Sequence, residues 1–233
     1  MRAILIAIAL VVAVTGCNTR THQLVTTLNR TEQQPPRIVL MPLDVELSLL
    51  SAAGMPEPRA DWTQQAKGLL HDAIRAEQQS RDIRMVVYDD SVTAGGTEQD
   101  LMHQLLKLHG VVGNSILIHQ YNPQLALPSK NGAFEWSLGP GAKALKQKYN
   151  ADYALFVWVR DSYSSGGRVA LILVGAALGI GIPGGQQLGF ASLVELETGN
   201  VVWFNLLARG HGDLRHAEGA QNTAVNLLSQ LPQ

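Results

Sequence analysis

Cysteine is almost missing from this chain. One thiol in 233 residues, Cys17, excludes an internal disulfide framework and a cysteine-based zinc site. A charge excess is missing too. Lys and Arg number 18 against 19 Asp and Glu, a formal net charge of -1, whereas a nucleic-acid binder carries a basic excess or stripe. No apolar run reaches the ~20 residues of a spanning helix. No glycine-rich loop opens a helix after a strand, which leaves Asp44, Asp89 and Asp90 without a nucleotide-site context. Ser164 and Ser165 lack a nucleophile elbow. Among the histidines, His103 and His109 are six apart, on different faces of a helix. His211 and His216 flank Asp213 in a glycine-bounded loop, HGDLRH, of the kind that is ordinarily solvated. There is no internal repeat and no low-complexity run. These absences predict a protein with no catalytic constellation, no cofactor and no metal.

What is present begins at the N-terminus. Arg2 supplies a minimal positive region, and Ile4 to Val14 is an apolar run of eleven residues. That length suits the core of a signal peptide and is too short for a membrane span. It ends in Val14-Thr15-Gly16-Cys17. Residues 18–36 are polar and close on Pro35-Pro36, which favours extended chain. They are expected to tether the N-terminal segment to a domain over 37–233.

The centre of that domain is the stretch from Ala151 to Ala208. Tyr153, Leu155, Val157 and Val159 alternate with Ala154, Phe156, Trp158 and Arg160, so both faces of this strand are largely apolar. Such strands are central and covered on both sides. A second pair of apolar runs meets at Glu197-Thr198-Gly199-Asn200, where Gly199 suits a tight hairpin. Upstream, Arg37–Leu47 and Ile83–Tyr88 read as strands and Ser51–Pro58 as a loop. Asp61 reads as the N-cap of a helix running to Gln79. Thr97 with Asp100 resembles a capping box for a helix whose stripe is Leu101, Leu105 and Leu108. Residues 121–140 are loop-like, 142–149 a short helix, and Ala217–Leu231 an amphipathic helix with Ala220, Ala224, Leu227, Leu228 and Leu231 inward. This order predicts an α/β or α+β fold, a mixed sheet of about five strands flanked by helices. Trp158, Trp203 and Phe204 are expected in the core, and Trp136 on the surface.

One segment fits this scheme poorly. Val169–Pro183 holds fifteen residues without a charge. A helix of that length spans roughly 22 Å, short of a bilayer. It reads either as a buried crossover covering the sheet or as an element touching membrane or a second subunit. The glycines around Ser164–Gly167 and Gly184–Gly185 suggest hinges. The candidate contact residues are Val169, Leu171, Leu173, Leu178 and Ile180, with Trp136 as a loop aromatic able to anchor a partner.

The tetrapeptide VTGC resembles a bacterial lipobox. This implies that Cys17 becomes the first residue of the mature protein, carrying a thioether-linked diacylglycerol and an acylated amine. Asn18 behind it implies, by the enteric sorting rule, the outer membrane. With IVLMPLD, the Ala151-Asp152-Tyr153 strand start and LVELETGNVVWF, the chain resembles small α/β envelope lipoproteins. These include the curli-secretion pore lipoprotein, the activator lipoproteins of penicillin-binding proteins, and a family typified by a neisserial surface lipoprotein. The resemblance implies a lipid-anchored protein facing the periplasm. Two roles fit: a non-catalytic adaptor for another envelope protein, or an oligomeric secretion or transport component using 169–183. An exposed 169–183 segment favours the second and a buried one the first.

Overall fold

The structure is a computed structural model and describes residues 18–23, 28, 36–81, 83–89, 96–210 and 212–232. Cys17, Asp90 and His211 lie outside the described residues. The fold is α/β, with one mixed sheet between two helical layers. Among the described residues there are eight strands: β1 (Asn18–Gln23), β2 (Ile38–Leu40), β3 (Asp44–Leu50), β4 (Pro56–Pro58), β5 (Met85–Val87), β6 (Tyr153–Ser164), β7 (Gln187–Glu195) and β8 (Val201–Arg209). Five α-helices accompany them: α1 (Ala60–Ser80), α2 (Thr97–His119), α3 (Lys143–Tyr149), α4 (Gly166–Ala177) and α5 (Ala217–Leu227).

The strand β6 is the axis, as its sequence predicts. Tyr153 to Val157 and Val159 are buried, so both of its faces are covered. One side of β6 pairs antiparallel with β7. The other side takes two parallel strands end to end, β2 along Tyr153–Leu155 and β3 along Trp158–Ser164. The expected single strand 37–47 is therefore broken in two. Pro42 sits at the break, where it has no N–H for a ladder. The outer side of β2 carries β5, and β3 carries β4 antiparallel. Beyond β7 come β8 and then β1, both antiparallel to their neighbours.

Eight strands rather than about five follow from three details. The break at Pro42 divides one run. Pro56–Pro58 pairs with Ser48–Leu50, where a loop was expected. Asn18–Gln23, taken from sequence as tether, lies along β8 from Ala208 to Trp203. A polar hexapeptide offers no apolar alternation, so only the tertiary pairing reveals it as a strand. Leu28, farther along the same segment, is buried in the core.

On one face α1 and α5 cover Leu155, Val157 and Val159, with Trp203 fully buried beneath them. On the other, α2 and α3 cover Phe156, Phe190 and Phe204. Asp61 proves to be a first-turn residue bonded to Arg59; the N-cap is Arg59 and offers no side-chain cap. The α2 N-cap is Gly96. The inward residues expected of the C-terminal helix are all buried, although the helix itself ends at Leu227. Gly199 adopts φ 76° in the β7–β8 hairpin, as expected.

The second layer is set by one glycine. A Cβ at Gly113 of α2 would lie 2.1 Å from the Phe190 ring. Phe190 is itself stacked on Trp158 at 4.8 Å and on Phe204 at 5.4 Å, so it has nowhere to retreat. Gly113→Ala should cost about 1–3 kcal/mol by overpacking. Urea denaturation reads this as a lower midpoint at unchanged slope; an unchanged midpoint would show that α2 can slide outward.

Candidate functional site

Sheet direction decides which surfaces lie together. β6, β3 and β8 all run toward one end, and β7 and β1 run away from it. At that end β6 leaves at Ser164, β7 begins at Gln187, and the β3–β4 turn closes over residues 51–55. Asn18 opens β1 there too, opposite Ala208. The uncharged segment emerges at this same end, as α4 and its return.

The return is built rather than slack. Ser165 caps the helix by accepting from the Arg168 N–H at 3.2 Å. At the far end Gly179 takes φ 73°. Its N–H reaches the Ala176 carbonyl at 3.1 Å, and the Ile180 N–H reaches Gly175 at 2.7 Å. This pattern is a Schellman closure. Gly175 is required because a Cβ there would stand 2.9 Å from the Ile180 carbonyl oxygen as well as 2.8 Å from Ile182. At the base, the Arg168 guanidinium donates to the Pro183 carbonyl at 2.8 Å and to the Ala52 carbonyl at 3.3 Å. Gly185 donates to Ser164 Oγ at 3.1 Å, and a Cβ on it would lie 2.1 Å from the Ser162 carbonyl oxygen. Of the glycines read as hinges, Gly185 is a close-approach position in a tied base, while a Cβ on Gly166 would stand in open space.

The apolar side chains of this tip point into solvent. Leu173 is 66% exposed, Leu178 70%, and Val169, Leu171, Val174 and Ile180 are also exposed. A helix apolar on all sides is normally buried in something. Here it covers little of its own domain, so the buried-crossover reading is corrected. Met55, in the turn that Arg168 ties to α4, adds an exposed side chain at the same end. Sequence reading missed Met55 because a lone methionine in a Pro/Gly loop has no periodicity. Within its twelve residues α4 is about 18 Å long, too short to cross a bilayer. Among the described residues no helix is long and apolar enough to cross a membrane.

Trp136 does not join this cluster. It lies at the other end of the sheet, where its carbonyl accepts from the Val201 N–H at 2.8 Å and Ser137 bridges Asn200. Its ring is half-buried, with the Lys130 ammonium 4.6 Å from the ring centroid. Nearby, Lys143 and Lys146 hold the Glu197 carboxyl down at about 2 and tie α3 to the hairpin. Trp136 is thus a staple of this opposite end with one face left open.

Beneath the tip lies a polar cluster. Asp161 is buried and accepts from Tyr163 Oη at 2.6 Å, Gln187 Nε2 at 2.8 Å and the Leu214 N–H at 3.3 Å. Burial pushes its carboxyl up, against these hydrogen bonds. Burial and the neighbouring Asp161 push the Tyr163 hydroxyl up as well. Arg209 donates to Gln187 at 2.7 Å and to Thr223 at 2.5 Å, joining β8 and α5 to the same cluster. Every partner is a neighbouring strand, loop or helix, so the cluster locks the base of the tip. Asp213 is engaged by Arg215 through two bonds of 2.8 Å, which hold its carboxyl below the usual range. His216 stands 3.7 Å away. Among the described residues no three His, Cys, Asp or Glu side chains converge on a metal position.

No protein-family model and no curated protein matches the chain. Among solved structures it is similar to the PelC dodecamer from Paraburkholderia phytofirmans, at 13% identity over 93% of this chain and 97% of that one, with a TM-score of 0.42. A single-substitution variant of that dodecamer gives 14% identity, 93% and 98% coverage, and a TM-score of 0.41. The LpoB C-terminal domain from Salmonella enterica gives 12% identity, 74% and 81% coverage, and a TM-score of 0.28. At these identities and scores the likeness assigns no function.

Proposed function

We propose that this chain is a lipid-anchored, non-catalytic accessory protein of the bacterial envelope that rests one end of its sheet on a membrane. One observation carries the reading. The uncharged tip and Asn18, the residue after Cys17, sit at the same end of the sheet. Three strand spacings separate β1 from β6, about 14 Å. An acyl group on Cys17 would therefore enter a bilayer beside α4. The several acyl chains expected on Cys17 anchor firmly by themselves, and the tip adds an apolar contact that fixes how the domain sits on the surface. The arrangement supplies two membrane signals on one rigid end. The opposite end, with Trp136, is then turned toward the periplasm and is the face for a partner protein.

The anchor is tested by Cys17→Ser. That variant should remain unprocessed by the lipoprotein signal peptidase, at the mass of the full chain. Normal cleavage would sink the lipid-anchor half of the proposal. The exposed tip also suits contact with a second copy, which is the competing reading. Solution mass discriminates, comparing detergent-extracted mature protein with a soluble chain starting at Asn18. A start near Arg37 would remove β1 from the sheet. Monomers in both favour membrane contact. A discrete assembly that depends on 169–183 favours subunit contact.

A further inference from the structure

Away from the tip, the sheet has an open notch at the break between β2 and β3. β5 ends at Val87 opposite Leu40, and β4 reaches only as far as Ser48. Between them, residues 41–47 have no outer strand among the described residues. Helices from opposite faces meet around this gap. α1 brings Lys67, α2 brings His103 and Lys107, and Pro42, Leu43 and Asp44 line the sheet side of a cavity of about 230 Å³.

The charges here are unbalanced. Among the described residues Asp44 is the only carboxylate of the lining, and it is already engaged. Its Oδ1 accepts from Arg160 Nη1 at 2.8 Å and its carbonyl from the same nitrogen at 3.1 Å. The guanidinium in turn lies over Trp158, 4.3 Å from the ring centroid. α2 packs against the sheet at this point, where a Cβ on Gly110 would make ordinary contact 3.6 Å from Trp158 and 4.0 Å from Asp44. Lys67 and Lys107 form no ion pair with a carboxylate among the described residues. Two lysines and a histidine thus line one concavity whose Asp44 carboxylate is already paired with Arg160. Like charges drawn together this way repel, and low-dielectric walls focus their field on the cavity.

We infer that the Lys67–His103–Lys107 notch binds a small oxyanion, phosphate being the best match to two lysines and an imidazole donor. The volume is below the roughly 300–1,000 Å³ of organic-ligand pockets, so it admits a phosphate group with at most a short tail. This site is independent of the membrane-contact tip and stands or falls separately.

The test is calorimetric titration of inorganic phosphate into the full chain at constant ionic strength, with chloride as the reference ion. Saturable binding is expected. Lys67→Ala with Lys107→Ala should weaken it at least tenfold, while Lys67→Arg with Lys107→Arg should retain it. Lys107 is exposed and Lys67 half-buried, and thermal unfolding checks that each variant is folded. Glycerol 3-phosphate is titrated in parallel. Tighter binding than phosphate assigns the site to phosphomonoesters; equal or weaker binding assigns it to the free ion. No heat with either ligand, or the same heat in the alanine variant, overturns the inference.

Discussion

A chain carrying Leu173→Asp and Leu178→Asp should lose its hold on phospholipid vesicles by a factor of about 100 or more. Burying one leucine is worth roughly 1.5–3 kcal/mol, so removing two forfeits about 3–6 kcal/mol, and each 1.4 kcal/mol is tenfold. The new carboxylates add an ion-desolvation cost on top. Fold stability should barely move, because both side chains are already in solvent in the isolated molecule. The measurement is flotation of the soluble chain starting at Asn18, in which no acyl chain masks the tip, with phosphatidylethanolamine–phosphatidylglycerol vesicles. Leu125→Asp is the control. It makes the same chemical change on another exposed leucine, in the 121–140 loop that carries Trp136. Equal flotation of the tip variant and the unsubstituted chain would show that the tip makes no membrane contact. A loss of assembly with intact flotation would instead assign the tip to subunit contact. Either result separates the two readings of 169–183.

The central part of the molecule was legible from residue pattern alone. The two-faced apolar run at Tyr153–Val159, the Gly199 hairpin and the inward stripe of the last helix follow from periodicity and from one glycine's φ, which are local properties. Two edges were not legible. β1 is polar and β4 is Pro-Glu-Pro; each is a strand only because a neighbour offers it a ladder, whereas β5 is the expected Ile83–Tyr88 strand shortened to Met85–Val87. A short edge strand carries little pattern of its own. The site divides along the same line. That 169–183 is uncharged can be read directly, and so can its glycines. Whether those glycines loosen the segment or tighten it depends on what faces them. Gly175 meets Ile182 and Gly185 meets the Ser162 carbonyl, contacts that only the folded chain creates. The same holds for the two ends of the sheet. Trp136 and Leu173 are equally plausible as contact residues in sequence, and strand direction alone places them on opposite sides of the molecule.

His109 illustrates this limit and leads to a strong pH dependence. In sequence it is one histidine of seven. In the structure it is fully enclosed between α2 and the sheet, its ring stacked on Phe156 at 4.9 Å and near Phe190 at 5.2 Å. One ring nitrogen pairs with Ser192 Oγ at 3.0 Å. Burial pushes its pKa down to about 3. In the unfolded chain it returns to about 6.5. Between those values the unfolded state binds the proton and the folded state does not, so stability falls as pH falls through 6.5. The loss should reach about 2 kcal/mol on going from pH 7 to pH 5, and about 4 kcal/mol by pH 3. Asp161 works in the opposite sense, since its carboxyl is raised by burial and acid relieves a buried charge. Urea denaturation of wild type and His109→Gln at pH 7, 6 and 5 separates the two. The glutamine variant should start less stable, having lost the ring stacking, and then hold its midpoint or gain slightly as pH falls. Parallel slopes in the two proteins would mean that His109 is protonated in the folded state and that α2 opens to admit the proton.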